Sequence, residues 1–270
     1  MINERQIDDS WKKLNFLERP DFAKAKSEYD QFENLLRTTA AEVHYLPLDL
    51  NVTMDSLYCR DASLATDFGM ILCNMGKAAR QPEPAACRIA FEAAGIPILG
   101  TIQGTGTLEG GDVAWLDSNT LAVGHTYRTN AEGIRQLKAL LEPHKVEVIT
   151  APLPHFRGPA DVFHLMSILS PVDQNLAVVY SPLMPVPFRE FLVSRGIGLV
   201  EVPDTEFDSM GCNVLAIGPR RVLMVSGNPI TRTRLMQAGC VVYEYAGNEI
   251  SVKGGGGPTC LTRPIQRSIH

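Results

Sequence analysis

The sequence holds no block of like charge: 25 basic and 30 acidic residues, a formal net charge of -5, are spread along 270 positions. Such a surface has no grip on a polyanion, so nucleic acid is excluded as an expected partner. Long apolar runs are missing as well. None approaches the roughly 18 residues of a spanning helix, so no membrane partner is expected. The opening Met1-Ile2-Asn3-Glu4-Arg5-Gln6 is too polar for a secretory signal, and the expectation is a cytoplasmic protein. CxxC pairs are absent too. The six cysteines, Cys59, Cys73, Cys87, Cys212, Cys240 and Cys260, are widely spaced and mostly lie in apolar runs, so most read as core thiols and not as disulfide or zinc partners.

What is present is the composition of a globular protein, 45% hydrophobic. A chain of this length buries a large core, in one domain or two fused halves. Amphipathic helical patterns begin near Phe22, Arg80, Thr129, Val186 and Thr231. Each leads into a short apolar segment of strand character: Val43 to Leu46, Ile96 to Leu99, Val146 to Ile149, Gly198 to Val202 and Cys240 to Tyr245. Further strand signals lie between them, at Gly69 to Asn74, Asp112 to Gly124, Asn175 to Tyr180 and Asn213 to Val225. Asp117-Ser-Asn-Thr and Gly218-Pro-Arg-Arg supply turns between paired strands. A helix plus a few strands recurring along a chain signals a structural repeat, because one such unit cannot bury its own apolar face. Five copies would close into a ring with loops converging on a central pocket; an ordinary open α/β sheet fits the same periodicity.

Three stretches carry candidate chemistry. Gly254-Gly-Gly-Gly-Pro-Thr-Cys260 presents a thiol just beyond four glycines, which weaken any helix or strand and suit close approach to a ligand. A mobile tail with an incidental cysteine is the plainer reading. Asp161-Val-Phe-His164-Leu-Met-Ser-Ile-Leu sets an imidazole in a strand-like apolar run, where a hydrogen-bonded core histidine is the ordinary case. Thr107-Leu-Glu109-Gly-Gly-Asp112 places two carboxylates around a glycine pair before a strand, a pattern that turn chemistry alone also explains. Asp55-Ser-Leu-Tyr-Cys-Arg-Asp61 is another acidic element.

Together, the acidic-Gly-Gly-Asp loop, the Phe-His-Leu segment and the Gly-rich loop ending in Cys, in that order, resemble the pentein superfamily of guanidine-modifying enzymes. That superfamily includes arginine deiminase, dimethylarginine dimethylaminohydrolase, agmatine deiminase and the amidinotransferases. The likeness runs from about Leu46 onward. It implies an α/β five-bladed propeller with pseudo-fivefold repeats around a central active-site pocket, one catalytic domain over residues 1–270, with 1–40 a partly helical segment outside the resemblance. It also implies roles: Cys260 as nucleophile, His164 as general acid and base, and Glu109 and Asp61 as guanidinium-binding acids, with Asp55 beside them. Arg80 and Arg128 follow Asp61 and Glu109 at equal intervals, where arginine and dimethylarginine enzymes place the arginines that grip the α-carboxylate.

A guanidinium is a poor electrophile, so a thiolate that forms a covalent intermediate divides the barrier, and a bound cation helps ionise the thiol. No metal or organic cofactor is required, and the expected partner is a small guanidino amino acid; a homo-oligomer is compatible with the sequence. Met166 stands where arginine deiminases usually carry a carboxylate, which with Asp55 favours dimethylarginine, cleaved to citrulline and dimethylamine. Cys59-Arg60-Asp61 looks more like an arginine deiminase. Arginine dihydrolase, amidinotransferase and a non-catalytic pentein binder complete the alternatives.

Overall fold

The structure, a computed structural model, describes residues 3–39 and 42–266. It divides into two compact units, one of Met1–His44 with Leu153–Thr259, the other of Tyr45–Pro152 with Cys260–His270. No helix among the described residues is long and apolar enough to cross a membrane.

The first unit opens with helices α1 (Glu4–Ser10) and α2 (Phe22–Thr39). Asn3 caps α1 by accepting from the Gln6 N–H at 3.0 Å. Helix α2 buries Ala25, Glu28 and Phe32 at helical spacing, so one face is covered and the rest is wet. Phe32 meets the Tyr245 ring with centroids 4.9 Å apart. The Glu28 carboxylate accepts from the backbone N–H groups of Asn248, Glu249 and Ile250, at 3.1, 2.8 and 3.1 Å. These lie in a π-helical turn, Asn248–Val252, whose first donors would otherwise be buried without acceptors.

The second unit contributes β1 (Ser63–Thr66), β2 (Gly69–Leu72), α3 (Glu83–Ala93), β3 (Ile98–Thr101), β4 (Val113–Trp115), β5 (Thr120–His125), α4 (Ala131–Leu141) and β6 (Glu147–Pro152). Strands β1 and β2 form an antiparallel hairpin, and α3 carries the chain back so that β3 lies parallel to β2. The pattern recurs with β4, β5, α4 and β6. Asn130 explains why α4 starts where it does: its side-chain oxygen accepts from the N–H groups of Gly133 and Thr107, at 2.8 and 3.1 Å. The helix then buries Ile134, Leu137 and Leu141 along one stripe. These join Leu64, Ile71, Leu121 and Val123 in the core of this unit. Each such side chain contributes about 1.5–3 kcal/mol by leaving water.

The chain re-enters the first unit with β7 (Leu169–Asp173), β8 (Leu176–Val179), α5 (Val186–Ser194), β9 (Gly198–Glu201), α6 (Asp204–Phe207), β10 (Leu215–Gly218), β11 (Arg221–Val225), α7 (Pro229–Gln237) and β12 (Val241–Tyr245). Both sheets again pair a hairpin with a parallel third strand. Among the described residues the repeat therefore occurs as four three-stranded sheets. Val43 to Leu46, expected as a strand, is not one; Tyr45 and Leu46 are exposed there and Pro47 follows, which lacks a ladder donor. The strand expected around His164 begins only at Leu169.

Candidate active site

The acidic loop is built from the main chain outward. Leu108 forms an isolated bridge with Asn74, its N–H donating to the Asn74 carbonyl at 2.8 Å. Glu109, fully buried, caps a short 3-10 turn over Gly110–Asp112, and its N–H donates to Thr129 Oγ1 at 3.1 Å. Gly110 is needed for close approach: a Cβ there would fall 2.2 Å from the Arg60 carbonyl oxygen and 2.6 Å from that of Ser63. Its N–H donates to the Asp61 carbonyl at 2.8 Å, so the loop is stitched to Arg60 and Asp61. Carboxylate oxygens of Asp61 and Glu109 lie within 4.8 Å of one another. Asp112 has a structural task, accepting from Thr126 Oγ1 at 2.7 Å.

Arg80, expected to grip a substrate carboxylate, instead has its three nitrogens on partners within this unit. Nη1 donates to Asp61 at 2.5 Å, Nε and Nη2 to Glu83 at 2.9 and 2.8 Å, and Nη2 also to the Tyr58 carbonyl at 2.8 Å. The reason is local: Glu83 stands three residues on, at the start of α3, and a planar fork matches a carboxylate on each side. Burial works against charge on Arg80, but Asp61 and Glu83 hold it firmly cationic. Burial likewise pushes the Glu83 carboxyl up to about 7, with Arg80 opposing the rise.

Arg128, also expected at the α-carboxylate, is buried with Nη1 3.5 Å from Glu109 Oε1. Its main chain is pressed against Gly76, where a Cβ would come within 2.5 Å of the Arg128 carbonyl oxygen. The next residue, Lys77, donates its backbone N–H to Glu109 Oε1 at 2.9 Å and its ammonium to Asp55 Oδ2 at 2.6 Å. Asp55 sits in a 3-10 turn, Met54–Leu57, capped by Thr53. Sequence reasoning found neither Glu83 nor Lys77. The spacing of Arg80 and Glu83 on a helix start was a usable signal; a single lysine in a polar loop was not.

Cys260 is buried, and its carbonyl accepts from the Arg60 N–H at 3.2 Å, beside Asp61. The segment is held along this edge by Arg263, whose guanidinium donates to the Arg60 carbonyl, and by the Cys59 thiol on the Leu261 carbonyl at 3.6 Å. Burial pushes the thiols of Cys59 and Cys87 up to about 11 and 12 and raises those of Cys73, Cys212 and Cys240, which favours their protonated form.

In the first unit, the Gly-rich stretch is a tight loop and not a loose tail. Gly255 has φ +74°, and a Cβ on Gly257 would lie 2.5 Å from the Asn213 side chain. Asn213 Oδ1 accepts from both the N–H and the hydroxyl of Thr259, at 3.0 and 2.8 Å. His164 belongs to this unit. It is buried at the start of a 3-10 turn, Leu165–Ser167, its N–H donating to Ser167 Oγ at 3.1 Å. The second unit thus collects Asp55, Asp61, Arg80, Glu109, Arg128 and Cys260, and the first holds His164.

Comparison with known proteins places the chain as a whole. The profile of the family described as N,N dimethylarginine dimethylhydrolase, eukaryotic, matches residues 2–267. The chain is 28% identical over 247 residues to N(G),N(G)-dimethylarginine dimethylaminohydrolase of Pseudomonas aeruginosa, spanning 91% of this chain and 90% of that protein. It is 25% identical over 264 residues to the arginine deiminase of Listeria innocua, spanning 82% of this chain and 64% of that one. A cysteine-to-serine mutant of the Pseudomonas aeruginosa enzyme, complexed with citrulline, superposes with a TM-score of 0.78 at 26% identity, over 93% of this chain and 92% of that one. The N-terminal domain of ArgZ, a cyanobacterial arginine dihydrolase, shares the fold with a TM-score of 0.83 at 19% identity, over 95% of this chain and 91% of that one. The chain belongs to the dimethylarginine dimethylhydrolase family, and with it to the hydrolases of carbon–nitrogen bonds in linear amidines.

Proposed function

We propose that the protein hydrolyses the guanidino group of an arginine-type amino acid, with dimethylarginine as substrate and citrulline and dimethylamine as products. The observation that carries the reading is the buried Asp61 and Glu109 pair, within 4.8 Å of each other, on a loop stitched through Arg60 to the main chain of Cys260. Two close carboxylates in a dry site suit a flat cation that donates hydrogen bonds along its edges. They would hold the guanidinium plane so that its central carbon faces the Cys260 sulfur.

The reaction then runs in two stages. The Cys260 thiolate forms a C–S bond at the central carbon; the C–N bond to dimethylamine breaks as His164 gives the leaving nitrogen a proton. The resulting thiouronium is attacked by water that His164 deprotonates. The C–S bond breaks, the thiolate returns and the ureido product leaves. Arg128, beside Glu109, is assigned to the α-carboxylate, since Arg80 is bonded to Asp61 and Glu83.

The five-bladed propeller is part of this reading, supported by four copies of one strand–helix repeat. So is a cytoplasmic location, supported by six cysteines outside any disulfide. Arginine deiminase is the second reading, favoured by Cys59-Arg60-Asp61. Mass spectrometry of products from arginine, mono- and dimethylarginine and agmatine tests both. Citrulline with dimethylamine supports the first, citrulline with ammonia the second, and no turnover of any of them removes both.

A further inference from the structure

Lys77 touches two of the expected guanidinium-binding acids at once, Glu109 through its main chain and Asp55 through its ammonium. The ion pair is enclosed: the Lys77 side chain is 16% exposed and that of Asp55 5%. Of the cations beside these acids, Arg80 is pinned through three nitrogens, whereas Lys77 holds Asp55 by a single flexible ammonium. An acid that would otherwise accept N–H bonds from a substrate is therefore neutralised by the protein's own lysine.

We propose that Lys77 sets the substrate preference of the site by occupying Asp55. The inference rests on the guanidino-hydrolase reading above. An unsubstituted guanidinium brings more N–H donors than a dimethylated one. Asp61 and Glu109 supply acceptors for the edge they face, and Asp55, its Oδ2 already bonded to the ammonium, leaves the extra donors of arginine poorly matched. A dry site that strands such donors rejects the ligand that carries them. A dimethylated terminus presents methyl groups there and loses nothing. Lys77 is thus a specificity residue that acts through Asp55 and takes no part in bond making.

The test compares Lys77→Met with Lys77→Arg in the whole protein, reading kcat/KM for arginine and for dimethylarginine. Binding of the same two ligands in a Cys260→Ser background, by calorimetry, gives a readout that does not need turnover. Lys77→Met should shift the arginine-to-dimethylarginine ratio toward arginine by roughly tenfold, the scale of one hydrogen bond to a charged group. Lys77→Arg, which keeps the cation, should leave the ratio near that of the native protein. Should Lys77→Met fail to fold, Lys77→Leu, which likewise leaves Asp55 Oδ2 without the ammonium, is expected to shift the ratio the same way. An unchanged ratio in the uncharged variants, with both ligands still bound, overturns the role of Lys77 and leaves the hydrolase reading intact. Failure of both ligands to bind the native protein overturns both readings.

Discussion

Replacing Arg80 by methionine separates two roles that the sequence alone cannot distinguish. In the fold, Arg80 serves two buried carboxylates and a buried carbonyl through four hydrogen bonds. Methionine keeps the volume of the stem but leaves Asp61 and Glu83 facing each other's charge without a cation. Removing one partner of a buried ion pair costs about 3–5 kcal/mol. In a chain of this size that corresponds to a fall in Tm of roughly 6–20 °C. The deficit should also depend on pH. Glu83 holds its proton more tightly in the fold than in the unfolded chain, at about 7 against 4.5. Its contribution to stability is therefore full below pH 4.5 and is lost as pH rises through about 7. Without Arg80 the value climbs further, so the variant goes on losing stability above pH 7, where the native protein no longer does. Calorimetric melting between about pH 6 and pH 9 should show a gap in Tm that widens on the alkaline side. An unchanged Tm, combined with a raised KM for amino-acid substrates, would refute the reasoning and restore Arg80 as the grip on the α-carboxylate.

Three other substitutions probe separate parts of the structure. Cys260→Ala should reduce turnover by on the order of a thousandfold or more while the melting temperature stays near native, measured by citrulline release and calorimetry. Gly110→Ala places a methyl 2.2 Å from the Arg60 carbonyl oxygen. The loop must move, at a cost of about 1–3 kcal/mol, and an ångström of displacement at Glu109 should lower kcat by about a hundredfold; native kinetics would show that the loop tolerates the shift. Glu28→Ala removes the acceptor for three backbone N–H groups in the turn that leads to the Gly-rich loop. A loss of about 2–4 kcal/mol in denaturant unfolding is expected, and no loss would mean that water replaces the carboxylate.

Much of the secondary structure was legible because its causes are local. Helices α2 and α5 begin at Phe22 and Val186, where the apolar spacing places them, and α4 starts two residues past Thr129 because Asn130 supplies the cap. The strand that went unread, β1, and the one expected too early, β7, are edge strands of their sheets. Their sequences, Ser-Leu-Ala-Thr and Leu-Ser-Pro-Val-Asp, are short and partly polar, and an edge tolerates Pro171 where a central strand would not. The reverse error at Val43 to Leu46 has the same origin: β-prone residues make a strand only when a neighbouring strand pairs with them.

The sequence by itself determined the residue types of the chemistry, their order and the repeat that carries them, because thiol, imidazole, carboxylate and apolar period are properties of the chain read one residue at a time. Only the tertiary structure decided how the charges are paired. Arg80 turns to Asp61 and Glu83, Arg128 approaches Glu109, and Lys77 covers Asp55. Apart from the local contact of Arg80 with Glu83, this pairing depends on distances of a few ångströms between residues separated along the chain, and those distances exist only once the loops around Gly76 and Gly110 have packed.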